Sequence, residues 1–135
     1  MDEEGISPNL EGLDAFAFDP QRIEKPWGHE LLWAHAEHYV GKILFVRAGH
    51  ALSLQFHNVK DESWYVQEGR AELEIGAPGD ATPASEVVAE GAAFRLRPGT
   101  VHRVRALEDT TILEVSTPHL DDIVRLEDRY GRIET

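Results

Sequence analysis

The chain has 135 residues, and its 25 Asp and Glu against 13 Lys and Arg give a formal charge of −12 at pH 7. This length suits one compact domain, and the negative field disfavours binding to nucleic acid or to an anionic membrane surface. The chain has no cysteine, so we expect neither disulfides nor thiolate metal sites. It has no apolar run near the roughly 20 residues of a membrane span, so we expect no transmembrane helix. Since its acidic start is unlike a signal peptide, we expect a cytoplasmic protein.

Three regions follow one another along the chain. Residues 1–21 carry Gly, Pro and Asn without a sustained period, which predicts an irregular N-terminal arm. Residues 22–118 alternate short apolar segments with turn residues, as antiparallel strands do. Residues 119–135 are expected to pack on these strands, either as a short helix capped by Asp121 or as an extended segment that closes over them.

Short strands are predicted throughout the central region. They lie near residues 29–35, 39–47, 51–57, 62–68, 71–76, 87–89, 93–97, 101–106 and 110–116. The loop 76–86 holds the densest cluster of Gly and Pro and is predicted to be variable. Roughly nine or ten short strands without an amphipathic helix of ordinary length indicate an all-β domain, built as a barrel or a double-sheet jelly roll.

The stretch 49–69 carries three potential ligands for one divalent ion. Gln55 and His57 are two residues apart, so on a strand both point to the same face. Glu62 begins the next predicted strand, and His102 in RPGTVHR is the candidate for a fourth ligand. Two imidazoles, an amide oxygen and a carboxylate form a donor set that suits Zn, Fe, Mn, Co or Ni, and the sequence does not select among them.

The spacing of these residues resembles the two motifs of the cupin superfamily, over about residues 25–117. Gly49, Gln55, His57, Glu62 and Gly69 fit the first motif, and Gly91, Pro98, Gly99 and His102 fit the second. The resemblance implies a single-domain cupin jelly-roll β-barrel that binds one divalent metal ion. It also implies a homodimer.

A narrower resemblance involves segments beyond the ligands. KPWG (25–28), LSLQFH (52–57), PGTVHR (98–103) and DDIVRLEDRYGR (121–132) together resemble the mannose-6-phosphate isomerase domain of the type II phosphomannose isomerases. That family's metal ligands map onto Gln55, His57, Glu62 and His102, with zinc the metal that the resemblance favours. It implies an aldose–ketose isomerase of the mannose 6-phosphate/fructose 6-phosphate type.

The chain also departs from this family. Where the family commonly reads QXHHHRXEHW, this chain reads QFHNVKDESW, so Asn58, Val59 and Ser63 replace histidines and Lys60 replaces an arginine. The ligands remain, while groups that orient them or touch a sugar differ. Many family members carry a nucleotidyltransferase domain ahead of the cupin, for which these 135 residues leave no room. Synthesis of a nucleotide sugar is therefore not expected of this polypeptide.

Isomerisation moves a proton between adjacent carbons through an enediol, which requires a base and groups that stabilise negative charge. Glu114 alternates with Ile112 and Ser116, which predicts that it points into the barrel. Burial there would raise its pKa and suit it as the base, although a structural pair with an arginine is the alternative.

Cations and aromatic residues complete the predicted site. The resemblance implies Lys42 and Arg103 as catalytic and substrate-binding cations, Arg125 as a substrate-binding cation, and Trp64 as a substrate-binding pocket wall. Further candidates are Arg95, Arg97 and Arg132 as cations, and His50 and His119 as weaker candidates for the proton shuttle.

Three functions are compatible with these residues. The first is a metal-dependent isomerase of a sugar phosphate. The second is a non-catalytic or regulatory metal-containing cupin that binds a sugar or small metabolite, suggested by the replaced histidines. The third is a cupin dioxygenase, disfavoured because Gln55 stands where a histidine often does. Each of the three predicts a small-molecule partner.

Overall fold

The computed structural model describes residues 12–13, 15–79 and 82–132. These residues form eleven strands and no helix. The strands are β1 (Gln21–Lys25), β2 (Gly28–His35), β3 (Val40–Val46), β4 (Leu54–Phe56), β5 (Glu62–Glu68), β6 (Arg70–Gly76), β7 (Ala84–Ala89), β8 (Ala93–Leu96), β9 (Val101–Ala106), β10 (Thr110–Ser116) and β11 (Val124–Glu127). Accordingly, nothing in the described part of the chain qualifies as a helix able to cross a membrane.

The strands form two antiparallel sheets. One has the order β1-β2-β3-β10-β5-β8, and the other has the order β11-β4-β9-β6-β7. Strands distant in sequence are neighbours, since β10 lies between β3 and β5, and β9 lies between β4 and β6. The predicted all-β jelly roll is therefore confirmed.

Strand alternation places the core between the two sheets. In β6, Ala71 and Leu73 are buried while Glu72 and Glu74 are directed away from the core, as the alternating sequence predicts. The main apolar cluster gathers residues from both sheets: Trp27, Leu44, Val46, Leu52, Trp64, Val66, Ala71, Leu73, Val88, Leu96, Val104, Ala106 and Ile112. Burial of these side chains is the main favourable contribution to folding.

Gly69 makes the turn between β5 and β6 possible. It has a φ of +96°, and a Cβ there would lie 2.4 Å from the backbone oxygen of Asp109. Only glycine combines this left-handed backbone with so close an approach. The last glycine of the first motif is thus required by chain geometry.

The two ends of the described chain form strands, β1 and β11, that are not among the strands predicted from the sequence. β1 occupies Gln21–Lys25 and pairs with β2 through a hairpin, although Ile23 is its single apolar residue and gives little strand signal. Leu13, in the predicted irregular arm, is buried against Ile23; most of the remaining arm lies outside the described residues. At the other end, the described residues 119–132 contain a strand and no helix, and this strand, β11, pairs with β4.

Candidate metal centre

Three of the predicted ligands converge between the sheets. The ligand atoms of His57, Glu62 and His102 all lie within 4.8 Å of one another, and all three residues are buried. His57 follows β4 and His102 lies on β9 in one sheet, whereas Glu62 begins β5 in the other. The sheet packing therefore brings together ligands that are far apart in sequence.

Backbone carbonyls orient both imidazoles. His57 Nδ1 bonds the carbonyl oxygen of Asp122, and His102 Nδ1 bonds that of Thr100 at 2.9 Å. A carbonyl only accepts hydrogen bonds, so each Nδ1 carries the proton and each Nε2 has a lone pair. The pKa of His102 is lowered, and burial is the largest cause of this shift. The lowered pKa favours the neutral imidazole that a metal ion needs.

Gln55 lies beside this cluster. It is buried on β4, directly opposite His102 in the ladder with β9. Its Nε2 donates to the carbonyl of Ser53 at 3.4 Å. Because the amide nitrogen is the donor in this bond, the amide oxygen remains to act as a fourth ligand.

The carboxylate of Glu62 has one oxygen that suits a cation. Its Oε1 accepts a hydrogen bond of 2.5 Å from Trp64 Nε1. Its Oε2 lies 2.7 Å from His57 Nε2, yet among the described residues no well-aligned donor reaches it. A lone pair on each atom makes this approach unfavourable unless a proton or a cation lies between them. The donor set thus fits a divalent ion, with Zn, Fe, Mn, Co and Ni all compatible.

The charge of Glu62 is favoured despite its burial. Burial acts to raise its pKa, but Lys60, His57 and His102 together outweigh this effect and lower the pKa well below its ordinary value. Glu62 is therefore ionised at neutral pH, as a metal ligand must be.

A second buried group of charges lies next to the ligands. Glu114 Oε1 accepts a hydrogen bond of 3.1 Å from Trp64 Nε1, and Glu114 Oε2 lies 3.4 Å from Lys60 Nζ. Burial raises the pKa of Glu114 although Lys60 opposes the shift. Lys60 Nζ also lies 3.8 Å from Glu62 Oε2, so one ammonium group faces two carboxylates.

Lys42, which is partly exposed, pairs with the buried Glu30. Lys42 Nζ lies 3.0 Å from Glu30 Oε1, and Lys25 Nζ lies 4.0 Å from the same oxygen. Lys42 also lines the cavity described below. Glu30 and Lys60 were not predicted as site residues. Glu30 alternates with the fully buried Leu32 on β2, and this pattern could have indicated that Glu30 points inward. Lys60 lies in a polar turn, where the local sequence gives no sign of burial.

The cavity around these groups is small and mostly polar. Its volume is about 40 Å³, enough for an ion with one or two water molecules. It is lined by Trp27, Glu30, Lys42, Leu44, Leu52, Gln55, His57, Lys60, Glu62, Trp64, His102, Glu114, Leu120 and Ile123. Trp64 and Glu114 therefore face the cavity, as predicted.

Arg103 does not lie in this wall, which corrects the prediction of its position. It is next to His102 on β9 and so points to the opposite face of the sheet. There its Nε donates to Glu74 at 2.6 Å, and its Nη2 donates to Glu127 at 3.4 Å. Proximity in sequence to a ligand did not translate into proximity in space.

Other predicted candidates also lie outside the cavity wall. Arg125 is buried on β11, opposite Gln55 in the ladder with β4, and is absent from the lining residues. The remaining candidates have partners elsewhere or are exposed: Arg95 pairs with Asp61, Arg132 with Asp128, His50 with Tyr130 and His119 with Thr117, and Arg97 is exposed.

The replaced family histidines lie away from the ligands in this chain. Asn58 and Val59 are exposed, Val59 to 57%, and Ser63 lines a separate surface depression with Asp61 and Arg95. None of the three lines the central cavity. The ligand cluster is therefore complete without them.

The chain matches known proteins over most of its length. The model of the family described as mannose-6-phosphate isomerase C-terminal matches residues 17–128. Mannose-1-phosphate guanylyltransferase ManC of Salmonella typhimurium is 31% identical over 118 residues, which are 84% of this chain and 23% of that protein. Xanthan biosynthesis protein XanB of Xanthomonas campestris pv. campestris is 31% identical over 119 residues, covering 83% of this chain and 24% of XanB. The chain thus spans about a quarter of the length of these curated relatives.

Solved structures of low sequence identity share the fold. The capsular polysaccharide assembling protein CapF of Staphylococcus aureus has a TM-score of 0.69 and 16% identity, over 84% of this chain and 36% of that chain. KdgF from Halomonas sp. has a TM-score of 0.60 and 24% identity, over 75% and 88%. Oxalate decarboxylase of Lactobacillus farciminis has a TM-score of 0.66 and 16% identity, over 79% and 33%. These likenesses show that the two-sheet jelly-roll fold is shared with them.

Proposed function

We propose, since the chain belongs to the mannose-6-phosphate isomerase C-terminal family, that it is a metal-dependent aldose–ketose isomerase acting on a sugar phosphate of the mannose 6-phosphate/fructose 6-phosphate type. The observation that carries the proposal is the buried cluster of His57, Glu62 and His102, with a buried Glu62 oxygen that no well-aligned donor from the described part of the chain reaches. The guanylyltransferase activity named for some relatives is not proposed, because the chain spans only about a quarter of those proteins.

The cluster is suited to hold one divalent ion with Gln55 as the fourth ligand. When bound, such an ion supplies a Lewis acid for the carbonyl and hydroxyl oxygens of the sugar. Zinc is the ion that we propose first, and Fe, Mn, Co and Ni remain compatible with the donors.

Glu114 is the base in this proposal. Glu114 is buried beside the cluster, with 4% of its surface exposed. Its raised pKa brings it closer to the neutral range in which a carboxylate transfers protons effectively. As a carboxylate it would take the proton from C2 of the aldose, and as an acid it would return that proton to C1. The hydroxyl proton on O2 passes to O1 in the same conversion, so the product is the ketose without any net gain of protons.

Lys42 is the cation that we assign to the developing enediolate. It lies in the cavity wall, 3.0 Å from Glu30, so its ammonium group is held in place before substrate arrives. Preorganised charge of this kind stabilises an anionic intermediate more than mobile charge in water does. Arg103 is left out of the assignment because it faces the opposite side of its strand.

The size of the cavity defines how a sugar phosphate would bind. A volume of about 40 Å³ is too small for a whole hexose phosphate, so only the reactive carbons would approach the ligands while the rest of the sugar lies across the mouth. Leu120 and Ile123 line this cavity from the C-terminal segment. Trp64 contributes an inner wall and fixes two carboxylates through its indole N–H.

The test combines metal analysis with an isomerase assay. Protein reconstituted with zinc, or in parallel with Mn, Co, Ni or Fe(II), is expected to hold one equivalent of metal and to convert mannose 6-phosphate to fructose 6-phosphate. Glu62→Ala and His102→Ala should lose both the metal and the activity. His50→Ala is the matched control, because His50 pairs with Tyr130 outside the cavity. Retention of one metal equivalent by both ligand variants would refute the ligand assignment.

A binding function without turnover is the second candidate. The small cavity and its ion pairs favour it, since Lys42 and Lys60 already face carboxylates and leave little room for reacting carbons. This alternative predicts that metal-loaded protein binds mannose 6-phosphate in calorimetry and leaves it unchanged over hours.

A further inference from the structure

Asp122 holds the loop that joins two of the candidate ligands. Its carboxylate accepts hydrogen bonds from three successive backbone N–H groups, those of Asn58 at 2.9 Å, Val59 at 2.6 Å and Lys60 at 2.8 Å. Its backbone carbonyl accepts the hydrogen bond of His57 Nδ1. One residue thus fixes both the loop after His57 and the imidazole itself.

The loop 58–61 owes its shape to the segment that follows β10. The next N–H group, that of Asp61, donates to Thr117 Oγ1 at 3.1 Å, and the N–H of Thr117 donates back to the carbonyl of Asp61 at 3.0 Å. Four consecutive N–H groups of the loop are therefore satisfied from outside it. Within the described part of the chain, residues 58–61 have no strand partner, so we expect these contacts to set where Glu62 enters β5.

We propose that Asp122 is a positioning residue for the metal site, which fixes the tautomer of His57 and the spacing between His57 and Glu62. The inference rests on the metal binding proposed above. A carbonyl acceptor at Nδ1 leaves Nε2 as the ligand atom, and such supporting contacts hold ligands in the geometry that a metal ion requires.

Asp128 offers a matched control within the same segment. Its carboxylate accepts hydrogen bonds from the backbone N–H of Arg132 at 2.7 Å and from its guanidinium at 2.9 Å. The Asp128 side chain is fully buried in this pair, and Asp128 does not line the cavity. Loss of Asp128 should therefore reduce stability without changing the ligand geometry.

The experiment measures metal affinity and ligand geometry in the full chain. Zinc affinity is measured by competition with a chromophoric chelator, and the visible absorption of the Co(II) form reports coordination geometry. Asp122→Ala is expected to weaken zinc binding by roughly 10- to 100-fold and to alter the Co(II) spectrum. Asp128→Ala should keep the wild-type affinity within about threefold and the wild-type spectrum, whatever its melting temperature.

Asp122→Asn guards against failure of the alanine variant to fold. It preserves volume and the backbone carbonyl that orients His57, and it loses one acceptor oxygen, so we expect a loss of about tenfold in affinity. Wild-type affinity in this variant and an unchanged Co(II) spectrum would overturn the inference. Equal losses in the Asp122 and Asp128 variants would also overturn it, because the segment would then act only through stability.

The outcomes separate this inference from the proposed function. If wild-type protein binds zinc but does not isomerise mannose 6-phosphate, the proposed activity fails and the positioning role of Asp122 stands on the affinity data. If wild-type protein isomerises the sugar and the Asp122 variants bind zinc normally, the activity stands and the positioning role fails. If wild-type protein binds no divalent ion, both fail.

Discussion

Lys60 Nζ lies 3.4 Å from Glu114 Oε2, inside a cavity that both side chains line. Lys60 is 7% exposed and Glu114 is 4% exposed, so neither charge is compensated by bulk water. Removing one partner of a buried ion pair leaves the other charge uncompensated, which is more damaging than loss of a surface pair. The cation that replaces a family arginine is therefore expected to be essential for the metal-free fold.

Lys60→Met should destabilise the metal-free protein by roughly 3 to 5 kcal/mol. The physical reason is that Glu114 and Glu62 would share a buried site without their common cation. Urea unfolding followed by tryptophan fluorescence measures the change. Lys60→Arg keeps the charge and should lose much less stability.

Arg95→Met is the control for this prediction. It removes an ion pair with Asp61 in which the two side chains are 52% and 29% exposed, so its effect should be about 1 kcal/mol or less. A Lys60→Met protein as stable as Arg95→Met would show that the buried ammonium group contributes little.

Glu114→Gln should abolish most turnover and leave the metal in place. Glutamine keeps the volume and an oxygen that can accept the hydrogen bond from Trp64, but it cannot take up a proton. Loss of a general base typically lowers kcat by roughly 10²- to 10⁴-fold. Steady-state kinetics with mannose 6-phosphate and metal analysis of the same samples provide the two readouts.

Glu74→Gln is the matched control for Glu114→Gln. Glu74 is a partly buried carboxylate paired with Arg103 on the outer face, so its amide variant should retain normal kcat. Turnover near the wild-type rate in Glu114→Gln protein would show that Glu114 is not the base.

Strand alternation made part of this site predictable. Gln55 and His57 were expected on one face, and Glu114 was expected inside with Ile112, and each is buried. These residues obey the two-residue period of a strand, which needs no knowledge of the rest of the fold. The motif spacing then supplied Glu62 and His102 as partners.

Contacts across the fold were not predictable in the same way. Asp122 contacts the loop 58–60 although more than 60 residues separate them in sequence, and the strand that follows Asp122, β11, pairs with β4. Lys60 was likewise read as a residue of a polar turn, because the contacts that bury it come from distant parts of the chain. In each case the local sequence is compatible with exposure, and tertiary packing determines burial.

Lys42→Met and Arg103→Met separate the cavity from the outer face. Lys42 lines the cavity and lies 3.0 Å from Glu30, so its loss should lower kcat/KM at least about tenfold, equivalent to roughly 1.4 kcal/mol of transition-state stabilisation. Arg103→Met should change kcat/KM by no more than about twofold, because its guanidinium binds Glu74 outside the cavity. An equal loss of kcat/KM in both variants would show that Arg103 contributes to the site after all.

The acid stability of the metal-free protein should depend on Asp122. Burial acts to raise its pKa, but the three backbone N–H donors outweigh this and lower it from 3.8 to about 2. The folded state therefore favours the charged carboxylate, so its contribution is complete above the ordinary pKa and is lost as pH falls from about 4 towards 2. The free energy of unfolding of wild type and Asp122→Asn, measured in urea from pH 2 to 6, should differ most at the upper end and converge at the lower end. Titrating groups that do not contact Asp122 are common to both proteins and cancel in the difference, whereas the charge of His57 also acts on Asp122 and contributes to it. A difference that stays constant over this range, or that widens in acid, would mean that the three N–H groups do not stabilise the charge of Asp122.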